Sequence, residues 1–296
     1  MNKKNRYITA IVFCLAIGLS SCYNEDSISS ELGIDDLKPV DSSEPLDHYI
    51  YEFYNQYGSY ITYEYDTLDY QWDFSTKKEV TFAQQKDKEI LFRGIQHVEN
   101  VLFGLYSEDF KKQYLPTKIM LADSINEPGS RGKLDKFSES GTAYIAVGKI
   151  RDGIVNINDE DFNQSKAAIN YNFWMGYLRA NDKLIIPSSF YKPSEGYYHV
   201  NLKTLSENED NSKIDIKNYG FWADKDGKPN GGYYFWTPDE EVDVEQFFEK
   251  ILSHTKEEMT AMMEGYPKLQ DKYNILINHI QKEFDFDIQS IGDKNK

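Results

Sequence analysis

Residues 165–180, SKAAINYNFWMGYLRA, are apolar and aromatic at helical spacing on two sides at once. Ala168, Ile169, Phe173 and Tyr177 fall on one side of a helix, and Tyr171, Met175 and Leu178 on another. An apolar, strand-like run (142–157) precedes the segment and a Pro/Ser/Tyr loop follows it. The rest of the body is read around this helix.

That body reads as mixed α and β. Residues 58–70 alternate Tyr and Ile with polar side chains, as a half-buried strand and turn do. Residues 84–107 place Leu91, Ile95, Val98, Leu102 and Leu105 on one stripe, which predicts a helix. Residues 118–123 predict a short buried strand and 126–140 a polar loop. Residues 142–157 predict two strands joined at Arg151-Asp152-Gly153. From 182 to 236 the chain is loop-rich and aromatic, with a hairpin expected over 219–236. Asp224-Lys225-Asp226-Gly227 starts like a calcium loop, but the later ligands do not follow, so it reads as a turn. Two helices are expected to close the chain, with apolar faces at Val244, Phe247, Phe248, Ile251, Leu252 and at Leu269, Tyr273, Leu276, Ile277, Ile280, Phe284.

The first 21 residues read as an address. Lys3, Lys4 and Arg6 precede an apolar run over 7–18, too short to span a bilayer as a helix, and Leu19-Ser20-Ser21-Cys22 has the form of a lipobox. Cleavage before Cys22 removes Cys14 and leaves Cys22 acylated, so neither a disulfide framework nor a cysteine-ligated metal is expected. Residues 22–46, rich in Ser, Asp, Glu and Pro, read as the lipidated cysteine and a flexible tether. The anchor predicts a membrane partner. With 49 acidic against 33 basic residues the chain carries a net charge of −16, a field that repels a phosphate backbone, so nucleic acid is excluded as a partner.

From about residue 46 to 291 the chain resembles the Bacteroidota lipoproteins described as zinc-binding metallopeptidases. The resemblance is carried, in order, by YNQYGSYITYEYD (54–66), LPTKIMLADS (115–124), GTAYIAVGKIRDGIVNIND (141–159), the helix at 165–180, PSSFY (187–191), TPDEEVDVEQFFEKIL (237–252) and YNILINHIQKEFDFDIQSI (273–291). It implies an α+β, zincin-like metallopeptidase domain over 47–296. Such a domain has a mixed twisted sheet, a central active-site-type helix and a helical C-terminal part at about 241–291. It also implies that residues 141–148 form the edge strand that holds extended substrate. The acidic residues after Cys22 resemble the family's signal for export, implying an outer-membrane lipoprotein exposed at the cell surface.

Zinc is the cofactor expected of that family, and its helix carries HExxH: two imidazoles one turn apart and a carboxylate that takes a proton from metal-bound water. Here the matching positions read Tyr171, Asn172, Phe173, Trp174 and Met175. Tyr171 would bind metal only as a phenolate, costly for a phenol of pKa near 10. Asn172 cannot act as a base, and Met175 offers a thioether suited to Cu(I). The resemblance puts the third ligand at 246, where a glutamine stands: Gln246. Independently of any register, His48, His97, His199, His254 and His279 include no pair within four residues. The expectation is therefore no metal, no cofactor and no catalytic residue. Neither a Ser/His/Asp set nor a nucleophile elbow nor a phosphate-binding glycine loop is present.

Three functions follow. The first is a catalytically inactive pseudo-peptidase that binds a peptide or protein in the former cleft. The second is a glycan-binding accessory lipoprotein using the aromatic loop, with Tyr197, Tyr198, Trp222 and Trp236 as candidate ligand-binding aromatics. The third is an active metallopeptidase with unusual ligands.

Overall fold

At Lys118 the chain begins a run, KIMLA, whose successive side chains enter two different cores, and the sheet is built on it. The computed structural model describes residues 38–71, 80–129, 132–201, 214–228 and 236–295. The signal segment, Cys22 and most of the tether lie outside the described residues, as do 229–235 of the aromatic stretch. Residues 40–296 cluster as one compact unit.

Strand β3 (Lys118–Gly129) pairs in parallel with β1 (Tyr60–Thr62) on one side and with β6 (Tyr144–Val147) on the other. Beyond β6 lies β5 (Ser138–Ser140), antiparallel to it. The second half of β3 pairs antiparallel with β2 (Thr81–Gln84) and β4 (Gly132–Asp135). Ile119, Leu121, Ile145 and Val147 point into the large core, whereas Met120, Ala122, Tyr144 and Ala146 join Tyr65, Val80 and Ile125 on the opposite face. A sheet covered on both faces needs apolar residues at every position of its central strands, which is why KIMLA is continuous rather than alternating.

Before the central helix come α1 (Pro45–Tyr57), α2 (Leu68–Gln71), α3 (Lys88–Val101) and α4 (Glu108–Tyr114). Helix α3 (Lys88–Val101) starts at Asp87, whose carboxylate accepts the N–H groups of Glu89 and Ile90, and buries Leu91, Ile95 and Val98. Helix α5 (Asp159–Tyr171) is capped by Asn158, which accepts Asp161 N–H, and runs directly into a π-helix, Asn172–Arg179. Downstream come α6 (Glu240–Ser253), α7 (Lys256–Met262), α8 (Pro267–Phe284) and α9 (Gln289–Asp293). No described helix is long and apolar enough to cross a membrane.

Several expectations change. The stripe over 84–107 is helical only from Lys88, because Gln84 is in β2, and it breaks at Leu102 (φ −136°) into a 3-10 turn. The 58–70 strand is only Tyr60–Thr62. The strand expected to end at 123 continues to Gly129, and the loop expected over 126–140 contains β4 and β5. Their polar side chains are tied down: the Ser138 hydroxyl donates to Ala146 O at 2.9 Å, and Glu139 takes the Lys136 ammonium at 2.6 Å. The hairpin over 142–157 does not form. After β6, Ile150 and Ile154 turn into the core, and Asp152–Asn156 is a 3-10 helix. The expected hairpin over 219–236 has its second arm outside the described residues. Its described part is a 3-10 turn at Ile216–Tyr219 and a turn capped by Asp224, while Trp236 bridges to Asn201.

Candidate functional site: a helix seam and the cleft at its end

Tyr171, Met175 and Arg179 recur every four residues along the end of α5 and the π-helix, and Glu241, Glu245 and Glu249 do the same on α6. The two rows meet. Arg179 forks onto both carboxylate oxygens of Glu241, and Tyr171 lies in the field of Glu245 and Glu249, so the helices run antiparallel across the seam. Burial raises the Tyr171 phenol pKa strongly, and Glu245, Glu249 and Glu241 raise it further against the pull of Arg179. The phenol therefore stays protonated. The Glu245 carboxyl is also pushed up, first by burial and then by Glu241, with Arg179 opposing.

The other candidate positions are committed elsewhere. Asn172 accepts the Ser140 hydroxyl at 3.1 Å through Oδ1 and donates through Nδ2 to Ala168 O at 3.2 Å. A side chain on residue 176 would run into Ser140 Oγ, so Gly176 is what lets β5 sit directly on the π-helix. Met175 is buried, and its thioether sulfur, a weak hydrogen-bond acceptor, is its only side-chain heteroatom. Gln246 accepts Ala223 N–H at 3.1 Å and donates to Asp224 O at 3.0 Å. Its amide thus braces the 222–224 turn, and the carboxylate presented to Tyr171 is its neighbour Glu245. At the position where the resemblance implies the third ligand, the Gln246 amide is held to that turn.

The strand expectation also needs correction. Residues 141–148 were expected to form the substrate-holding edge, but β6 is paired on both sides and the edge is β5. Polar residues that bury through their own hydrogen bonds left β5 without an apolar signature.

These donors do not fit a zinc ion: a protonated phenol, a thioether and two engaged amides supply neither imidazole nor a free base. Among the described residues no group of three His, Cys, Asp or Glu is placed to hold a metal. The histidines are apart. His97 is buried, its Nε2 2.8 Å from Ser165 Oγ, with its pKa lowered by burial to about 4. His48 pairs with Asp41, His254 with Ser253, and His199 lies 3.7 Å from Glu240. His279 donates from Nε2 to Ile185 O at 2.7 Å.

Where the π-helix ends, a cleft of about 420 Å³ opens between Met175, Arg179, Tyr191, Glu241 and the chain at 182–186. One wall is apolar, and Ile185 on it is 70 % exposed. Sequence reasoning named Met175 but missed Arg179, Glu241 and Glu245. The four-residue spacing that extends 171 and 175 to 179, and its match at 241, 245 and 249, was the available signal.

The aromatic candidates divide. Trp222 is 4 % exposed, its ring 5.6 Å from that of Phe247. The Tyr198 hydroxyl donates to Asp243 at 2.6 Å, and Tyr197 meets Tyr219 edge-on. Trp236 is 39 % exposed. Behind them the Lys272 ammonium sits fully buried, 2.7 Å from Asp243 and ringed by Phe190, Tyr198, Phe221 and Phe247. Burial pushes Asp243 up and holds Lys272 down to about 8.

No protein-family model matches the chain, and no curated protein does. Among solved structures it is similar to a protein of Bacteroides caccae ATCC 43185 described as a "putative zinc-binding metallo-peptidase". The TM-score is 0.52 at 14 % identity, over 86 % of this chain and 92 % of that one. The shared property is the fold: a mixed sheet with helices, of the architecture that this metallopeptidase-named protein also has.

Proposed function

We propose that this chain is a surface lipoprotein that holds a peptide or protein segment in the cleft beside the seam and does not hydrolyse it. The lipid on Cys22 anchors it to the outer membrane, and the acidic residues that follow direct it to the cell surface. One observation carries the non-catalytic reading. Each position where a zinc peptidase needs a ligand or base holds a group with other commitments: a protonated phenol at 171, an amide tied to Ser140 at 172, a thioether at 175 and an amide bracing a turn at 246. The cleft at Met175 remains open beside them, with a volume in the range that holds small ligands.

The test is a peptide-binding screen on the purified protein with metal content measured by mass spectrometry. The expected result is binding that weakens about tenfold in Ile185→Ser, with no stoichiometric zinc and no cleavage; an exposed Ile185 makes the variant harmless to folding. Stoichiometric zinc with peptide cleavage would overturn the reading. Its anchoring half is tested separately: Cys22→Ala should leave the membrane fraction, and retention there would sink it. A glycan-binding reading keeps one specific observation, the exposed Trp236 ring. It predicts glycan binding that Trp236→Ala abolishes.

A further inference from the structure

The two walls of the cleft differ in kind. Leu184, Ile185 and Ile186 form the apolar one, and it is fixed in place before any ligand arrives. His279 holds Ile185 O, Lys183 donates to the Tyr177 hydroxyl at 2.9 Å, and Asn181 donates to Thr142 O at 3.0 Å. A wall held this way loses little freedom when covered. Opposite stands Arg179, whose guanidinium is spent on both oxygens of Glu241.

Charge decides what such a cleft accepts. Asp182 also lines it, so its lining carries two carboxylates against one guanidinium. One turn further along α6, Glu245 forms no ion pair among the described residues and faces the neutral Tyr171 phenol. An anion entering here would have to displace Glu241 from Arg179 and remain beside the other carboxylates. A cation meets one carboxylate more than the single guanidinium of the lining balances, within a chain whose net charge is −16. The raised pKa of Glu245, a half-buried carboxyl whose opposing guanidinium, Arg179, is paired with Glu241, agrees with that sign.

We infer that the cleft selects a peptide segment in which a basic side chain adjoins an apolar one, the apolar group on Ile185 and Ile186 and the cation between Asp182 and Glu241. This inference rests on the peptide-binding reading above. It adds the class of peptide and the residue that sets it.

Three labelled peptides of one backbone, differing only in a central Lys-Leu, Gln-Leu or Glu-Leu pair, test it by fluorescence anisotropy with the purified full-length protein in detergent. The Lys-Leu peptide should bind at least about fivefold tighter than the Gln-Leu peptide at low salt, and the gap should shrink as salt rises. Glu241→Gln frees Arg179 and should reverse the order, so that the Glu-Leu peptide binds best. Ile185→Ser should weaken all three alike. Circular dichroism checks that each variant is folded, which the exposure of both side chains favours. Equal binding of the three peptides, still weakened by Ile185→Ser, sinks the inference and leaves a peptide cleft without charge selection. A Lys-Leu preference that survives Glu241→Gln sinks it as well, because the cation then sits elsewhere. If none of the peptides binds, the inference and the reading beneath it fall together.

Discussion

On one side of helix α6, Asp243 and Gln246 are buried and joined to Lys272, Tyr198 and the 222–224 turn; on the other, Glu241 and Glu245 face the seam with a single guanidinium between them. The same 14-residue helix therefore carries two kinds of acid. Asp243 was taken out of water only because an ammonium and a phenol came with it, and even so its Oδ1 has no hydrogen-bond partner among the described residues. Glu245 was half-buried without such company. The buried side ties the aromatic loop to α6 and α8. The seam side keeps unspent charge at the surface, where a ligand can use it.

The largest expected effect tests which residue belongs to which side. If Glu245 faces the seam, the triple variant Tyr171→His, Asn172→Glu, Met175→His should gain a zinc ion with the native Glu245 as carboxylate ligand. Micromolar affinity corresponds to about −8 kcal/mol. Adding Gln246→Glu should bring no further gain, and adding Glu245→Gln should remove most of it. Calorimetric titration reads all three. A triple variant that binds zinc only after Gln246→Glu would return the seam to residue 246.

Lys272→Met comes next. It leaves Asp243 buried without its cation and should cost about 3–5 kcal/mol in urea denaturation, while Lys272→Met with Asp243→Asn recovers much of that loss. Trp222→Ala, on the same side and packed on Phe247, should cost a comparable ~3–5 kcal/mol, whereas exposed Trp236→Ala stays within about 0.5 kcal/mol. Equal costs for the two tryptophans would erase the distinction between packed and exposed aromatics.

How far the sequence carried this comparison depends on the residue type that marks each part. Apolar stripes were legible: Leu91, Ile95 and Val98 on α3, Ile169, Phe173 and Tyr177 on the central helix, and Val244, Phe247 and Ile251 on α6 all enter the core as their spacing implies. A mixed α and β architecture followed from them, and the structural neighbour shares it. Polar residues that bury by pairing were not legible. Ser138, Glu139 and Ser140 read as loop because a period of two cannot be recognised when buried side chains are hydroxyls and a carboxylate. The same blindness hid Asp243 and Lys272, which look like surface charges until their partners, 29 residues apart, are in contact. Residues 245 and 246 differ by one step around a helix. A register borrowed from a resemblance does not show that step, and the hydrogen bonds of the Gln246 amide show only that this side chain is committed to the 222–224 turn.

The smallest expected effect is the most direct measure of unspent charge on the seam. Glu245 has its folded-state pKa raised above the ordinary 4.5, by burial first and then by Glu241. A carboxyl of this kind binds its proton more readily in the native chain than in the unfolded one. Stability is therefore lost as pH rises through the interval between the two pKa values, and the loss is complete above the higher one. Glu245→Gln should then stabilise the protein at neutral pH, by less than about 1 kcal/mol because water screens a half-exposed group. The gain should fade as pH falls through that interval and be absent below about 4.5, where wild type is neutral at this position as well. Melting temperatures of both proteins across pH 4–8 read the difference directly. A neutral-pH loss on Glu245→Gln would mean that the carboxylate already has a favourable partner, and the contrast between the two sides of α6 would not hold.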